Sequence, residues 1–426
     1  MFAKPWRKIG LFTLILFTSA VARAQTSPQG PVKITLDEAV QLALEHNHAL
    51  LAVRTTVPQS EAQEITANLR PNPVLLMDWQ FIPIFSPGNF SADNLNTSQQ
   101  KDAGVSYLFE RGGKRARRLE AAKDQTAVTR SLVSDSERTL EFQVASQYVG
   151  ALLAESTLAL AQQDLKSFQN TVDISESRYK AGDLSEGDFL KIKLQKLQFE
   201  TDVSAAELGK VQALQSLRQL LGFESVPEGY DVASELDYRP LNKKVEELEV
   251  MALQNRPDLR AAQQGITAAK SQYTLAQANG KRDLTLQFSY SHVSDYSGGS
   301  FFGNIELPIF NRNQGEIART RIAITQSEEL QRAATELVLS DVRTAFAGVR
   351  SNDKVVGLYR SGYLDESKQS LDISEYAYKR GAASLLDFLD SERSYRATQL
   401  AYRQALASYM LALEQLREAV GVRNLP

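Results

Sequence analysis

The chain has no cysteine, only three histidines and two tryptophans, and nothing beyond its first two dozen residues reads as the run of about 18 apolar residues that crosses a bilayer as a helix. The missing cysteines exclude disulfides, thiolate metal sites and a lipid-bearing cysteine at a processed N-terminus. A metal centre is not expected either. His46 and His48 stand two apart, point to different faces of a helix, and read as a solvated pair near a helix break. So few histidines leave no nucleophile, histidine and acid to group. The segment RGGKRARR at 111–118 lacks the glycine spacing and terminal Lys-Ser or Lys-Thr of a phosphate loop. No enzyme activity and no cofactor are expected. Positive charge is also short: residues 1–24 hold four of the 48 basic side chains and none of the 51 acidic ones, so the remainder carries 44 against 51, a net of −7. That balance argues against a nucleic-acid partner.

What is present begins with a leader. Lys4, Arg7 and Lys8 precede an apolar stretch at 9–21, and Ala22-Arg23-Ala24 is a small-x-small cleavage site. This is the pattern of a secretory signal peptide over 1–24, with a mature chain from Gln25. The rest is written twice. DISESRYKAGDLSEGDFL at 173–190 and DISEYAYKRGAASLLDFL at 372–389 agree at 11 of 18 positions with a constant offset of 199. LALEHNHALLA, from Leu42, aligns with MALQNRPDLRA, from Met251, at an offset of 209. The chain thus divides into a first repeat at 25–222, a linker at 223–245 containing Pro227, Gly229 and Pro240, and a second repeat at 246–426.

Each repeat opens with an amphipathic helix, the first started by Thr35 and Glu38, and then changes period from 3.6 to 2. Strands are read at about 73–82 and 102–110, and again at about 283–293 and 300–309. Leu75, Met77, Trp79 and Phe288, Tyr290 lie on one side, with Asp78, Gln80 and Gln287, Ser289 on the other. One apolar, aromatic face and one polar face suit a sheet between lipid and water. Four strands cannot close a barrel, and an open edge cannot sit in hydrocarbon. Copies must therefore pool strands: three would supply twelve, and geometry alone also permits two with eight.

After each strand pair comes a proline-free helical run, 113–179 and 315–378, the first about 100 Å long if straight. Gly182 and Gly381 stop these runs. Ser185 with Asp188, and Ser384 with Asp387, start the return helices as capping boxes, with hairpin tips at about 180–188 and 379–387. Asp390 has no such explanation. It lies one turn beyond Asp387, where like charges repel, and the first repeat has Lys191 in its place. Under threefold symmetry Asp387 and Asp390 would ring an opening with six carboxylates, which attract cations and obstruct anions.

The ERGGKRARR and PIFNRNQGEI junctions, with the doubled YK-x-G-x-x-S-x-x-DFL tips, resemble the TolC-like outer-membrane efflux family, in wording most similar to its cation-efflux branch. The resemblance spans essentially the whole mature chain. It implies a mainly α fold with a small transmembrane β part. A duplicated helix, β-hairpin and long helical hairpin would trimerise into a 12-stranded barrel and a periplasmic helical tunnel in the outer membrane. It also implies a periplasmic adaptor seated on Gly182, Asp183, Leu184, Ser185, Gly381, Ala382, Ala383 and Ser384, and an inner-membrane pump, proton-driven and of the RND type. Arg111, Lys114, Arg115 and Arg312 would stand at the membrane interface. The family's entrance is lined by aspartates matching Asp387 and Asp390, and fastened by a tyrosine matching Tyr378 and an aspartate matching Asp188. The fastening arginine falls on Ala383, with Arg380 near enough to replace it. A type I protein-secretion duct and a periplasmic coiled-coil adaptor or scaffold are the competing readings.

Overall fold

The computed structural model describes residues 32–425 except 83, 90 and 94–98; the leader and its cleavage site lie outside the described residues. The first repeat holds β1 (Lys33–Ile34), α1 (Leu36–His46), α2 (His48–Arg54), α3 (Thr56–Asn68), β2 (Val74–Gln80), β3 (Gln100–Phe109), α4 (Lys114–Ala181) and α5 (Glu186–Leu221). After β4 (Asp231–Val232) in the linker, the second repeat holds α6 (Val245–Asn255), α7 (Pro257–Asn279), β5 (Leu284–Val293), β6 (Tyr296–Ile305), α8 (Gln314–Leu358), α9 (Leu364–Lys379) and α10 (Leu385–Val420).

The strands form one antiparallel sheet in the order β2-β3-β5-β6. The hairpins of the two repeats join along ten residue pairs, from Gln100 opposite Val293 to Phe109 opposite Leu284. Gly104 is required at this seam, because a Cβ there would lie 2.4 Å from Ser289 Oγ and 2.6 Å from the Phe288 carbonyl oxygen. The outer edges of β2 and β6 have no partner strand among the described residues.

Strand ends differ from the alternation. β2 stops at Gln80 because Phe81 turns to φ 62°. β6 runs from 296 to 305 rather than 300 to 309. Its hairpin turn takes only Ser294, at φ 54°, and Asp295, while Pro308 further on cannot donate to a ladder.

Beneath the sheet, α4 packs against α5, α7 and α10, and α9 packs against α10. α4 runs 68 residues between Gly113 and Gly182, both in the left-handed region. Mean hydropathy over one 18-residue window of α4 reaches 1.2, enough by composition to cross a membrane and more than the sequence reading allowed. Its middle explains this, since Val144, Tyr148, Ala151 and Leu152 are buried in a core with Ala39, Ala43 and Leu50. The second repeat builds its own core around Leu248, Ala252 and Leu259, the same three positions displaced by 209. The linker lies along the helices: Tyr230 donates to the Leu214 carbonyl, Tyr238 to Asp353, and Tyr409 to the Arg239 carbonyl.

The second long run is not continuous. A wide turn at Tyr359–Tyr363, with Gly362 at φ 137°, separates α8 from α9, where the sequence reading has a single helix. A wide turn of this kind inside a helix is a common functional feature.

Candidate gate at the hairpin tips

Duplication reaches individual hydrogen bonds at the tips. Asp183 N–H donates to the Arg178 carbonyl and Gly182 N–H to that of Tyr179; Ala382 and Gly381 repeat this onto Ala377 and Tyr378. Tyr179 stacks on Phe189 at 5.0 Å, and Tyr378 on Phe388 at 5.4 Å, the same pair in each repeat. These contacts close the helical stop with a glycine and fix the return angle with an aromatic.

The charges have diverged. Asp188 accepts from its own capping Ser185 and from Lys191 Nζ at 3.0 Å. Lys191, then Ser185, hold its carboxyl below the usual range. Asp387 accepts from the Ser384 hydroxyl at 2.7 Å and the Ser384 N–H at 3.2 Å, a complete capping box. Both Asp387 and Asp390 are exposed. The second tip presents two carboxylates where the first presents an ion pair.

Tyr378 and Asp188 are not joined in this chain. Tyr378 is only 6 % exposed, and its hydroxyl is buried without a partner. Arg178 spans the tips instead. Its guanidinium lies 5.5 Å from the Tyr378 ring and donates at 3.4 Å to the Tyr378 carbonyl. The bridging arginine thus comes from the first tip. Arg380 lies over Tyr376 at 5.4 Å. Ala383 and Leu184 are half-buried; Gly182, Asp183, Ser185, Gly381, Ala382 and Ser384 are exposed.

Further up, three helices converge on one guanidinium that sequence reasoning did not find. Arg396 of α10 reaches Asp164 of α4 at 3.1 Å, Asp202 of α5 at 2.5 Å and Glu392 on its own helix at 3.6 Å. Its guanidinium also lies 4.1 Å from the Phe199 ring centroid. Arg396 thus pairs with three carboxylates, while Arg393 and Arg403 also lie near enough to favour the charged forms of Glu392 and Asp164 respectively. Glu392 is 7 % exposed and its Oε2 has no partner. Burial, opposed by Arg396 and reinforced by Asp164, pushes its carboxyl up to about 7. Burial likewise raises Asp164. Only the Glu392 to Arg396 spacing of four was legible in the sequence; Asp164 and Asp202 arrive through the fold.

At the opposite end, the junction charges meet acids and backbone. Lys114 Nζ and the Arg111 N–H both donate to Asp283, at 2.7 and 2.9 Å. Although burial works against it, they hold the Asp283 carboxyl below its usual range. Arg118 pairs with Glu110, and Arg312 donates to the Pro308 carbonyl. Arg115 is half-buried.

A four-stranded amphipathic sheet with open edges, mounted on paired long helical hairpins, defines the TolC-like class of outer-membrane channel folds. The chain belongs to the outer membrane efflux protein family, whose pattern matches residues 39–223 and 248–422 and skips the linker. It is 23% identical over 411 residues to the cobalt-zinc-cadmium resistance protein CzcC of Cupriavidus metallidurans, covering 95% of this chain and 93% of that one. It is 25% identical over 409 residues to the pyoverdine export outer membrane protein OpmQ of Pseudomonas putida, covering 91% and 85%. Among solved structures, that of CusC superposes with a TM-score of 0.75 at 22% identity over 94% of this chain and 96% of the other.

Proposed function

We propose that the chain is the exit duct of a tripartite efflux system. Three copies pool twelve strands in the outer membrane, and their helical hairpins form a periplasmic tunnel. An adaptor seats on the tips, and a proton-driven pump of the RND type in the inner membrane supplies the energy. The leader is cleaved at Ala24, and no cysteine is available for lipidation. The observation carrying this reading is the sheet: its two edges are unpaired, and Met77, Trp79, Phe288 and Phe301 are exposed on one face. In a lone subunit in water that face is an aggregation hazard; in a closed, lipid-bounded ring it is satisfied.

Cations are the substrate class this reading favours. The second tip carries Asp387 and Asp390 exposed, and the relative named for cobalt, zinc and cadmium resistance aligns over nearly the whole chain. Asp188, already paired with Lys191, contributes less to the field of the opening. The test is to purify the mature chain in detergent, measure its mass, and add it to a planar bilayer. Trimers that conduct support the duct; a monomer that stays in water without detergent overturns it.

A further inference from the structure

The apolar face of the sheet does not end in an apolar row. From Phe109 to Lys101 the strand runs eight residues, about 27 Å along its length at 3.4 Å per residue, which at the usual tilt of a barrel strand is about 20 Å of height, most of a membrane band of about 25 Å. The last cross-strand row on that face, farthest from the helices, is Trp79, Lys101, His292 and Ser297. Lys101 lies 5.7 Å from the Trp79 ring centroid and makes no ion pair among the described residues. Tyr290 donates its hydroxyl proton to Ser297 Oγ at 2.9 Å, and Ser297 lies 3.0 Å from His292 Nδ1. The tautomer in which Ser297 donates to Nδ1 carries the imidazole proton on Nε2, and it is the one that offers an outward-facing N–H donor beside Lys101. A trough of about 680 Å³ at this row is lined by Met77, Trp79, Lys101, Ala103, Tyr290 and His292, and also by Asp78 and Asp102, which alternate onto the polar face of the same strands.

A cation beside an N–H donor at the top of an aromatic trough matches a phosphate that carries acyl chains. A lysine left at the rim of a hydrocarbon face needs either water or an anion, and an anionic headgroup supplies the second. We propose that this row binds a phosphate-bearing lipid of the outer leaflet. The phosphate sits on Lys101 and His292 Nε2, and an acyl chain lies in the trough. The proposal rests on the reading that this face meets lipid.

With residues 1–24 removed, Trp79 is the chain's single tryptophan and therefore a reporter inside the site. The assembled mature protein is reconstituted in phosphatidylcholine vesicles doped with brominated phosphatidic acid or, at the same fraction, brominated phosphatidylcholine. Tryptophan quenching by the acid is expected to exceed that by the neutral lipid about threefold. The double variant K101Q/H292Q should remove the excess, and inorganic phosphate should leave it in place. Equal quenching by the two lipids, or an excess that survives the double substitution, overturns the lipid site while keeping the face in the membrane. Displacement by inorganic phosphate overturns it in favour of a soluble anion. Absence of quenching by either lipid overturns the membrane reading beneath it.

Discussion

The two helical hairpins are copies of one segment, and the ways they have parted indicate what each does. Their turns, glycine stops and Tyr-Phe stacks are retained. Their return helices are not. Where α5 has Lys191 and Lys193, α10 has Asp390 and Glu392, and where α5 has the exposed Leu197, α10 has Arg396. The incoming helix of the first hairpin is unbroken, whereas that of the second turns at Gly362. The first hairpin thus supplies an unbroken helix, and the second an acidic element with a wide turn, held to the first by Arg396 and Arg178. The difference between the two hairpins is written in a handful of substitutions on a shared backbone.

Removing Arg396 should break this comparison most severely. Arg396→Ala removes the guanidinium that contacts Asp164 and Glu392, both largely buried, and loss of one partner from such a cluster costs about 3 kcal/mol. A clear drop in the thermal midpoint of the detergent-solubilised assembly is expected; an unchanged midpoint would release the second hairpin from this anchor.

Next comes the wide turn. Gly362→Ala forces a Cβ onto φ 137° and should cost about 1 to 3 kcal/mol. The equivalent residue of the first hairpin, Gln163, is exposed inside regular helix, so Gln163→Gly should cost only about 0.5 to 1 kcal/mol. Denaturant titration of the two variants compares them directly. Equal losses would mean that the second hairpin does not depend on its wide turn.

Glu392 adds a pH dependence to the second hairpin. Its carboxyl titrates at about 7 in the fold against an ordinary 4.5, so the folded chain binds this proton more tightly than the unfolded one. The proton's contribution is complete below about 4.5, declines as pH rises toward 7, and is gone above that. Glu392→Gln should flatten this part of the stability curve and gain on the order of 1 to 2 kcal/mol over the parent at pH 8. Burial also raises Asp164, Glu141, Glu414 and Glu418, so the measured quantity is the difference between parent and variant melts across pH 4 to 8. Parallel curves would place the titrating proton elsewhere.

Legibility in the sequence followed the range of the interaction. Local chemistry was readable: both glycine stops, both capping serines, the period-2 faces and the pairing of Ala39, Ala43 and Leu50 with their counterparts 209 residues on. What escaped was set by neighbours distant in the chain. The turn at Gly362 interrupts a run whose composition is as helical as that of α4. Arg396 gathers Asp164 and Asp202 from 232 and 194 residues away. Arg178 looked like an ordinary residue of a helix's last turn, yet it crosses to the second tip, while Asp188 is taken up by Lys191 beside it.

That local pairing makes the smallest prediction the most discriminating. Asn keeps a capping oxygen for Ser384 while removing the charge, so Asp387→Asn with Asp390→Asn tests the field of the opening without unwinding the helix start. The ratio of cation to anion permeability, taken from reversal potentials across a salt gradient, should fall about threefold. Asp188→Asn should change it by less, because Lys191 already offsets that charge at 3.0 Å. Adding Lys191→Asp to the parent would then give the first tip the charges of the second and raise the ratio. Should all three variants conduct like the parent, the acidic divergence of the second tip has no part in selecting what passes, and its retention would have to be sought in the capping and packing that Asp387 and Phe388 provide.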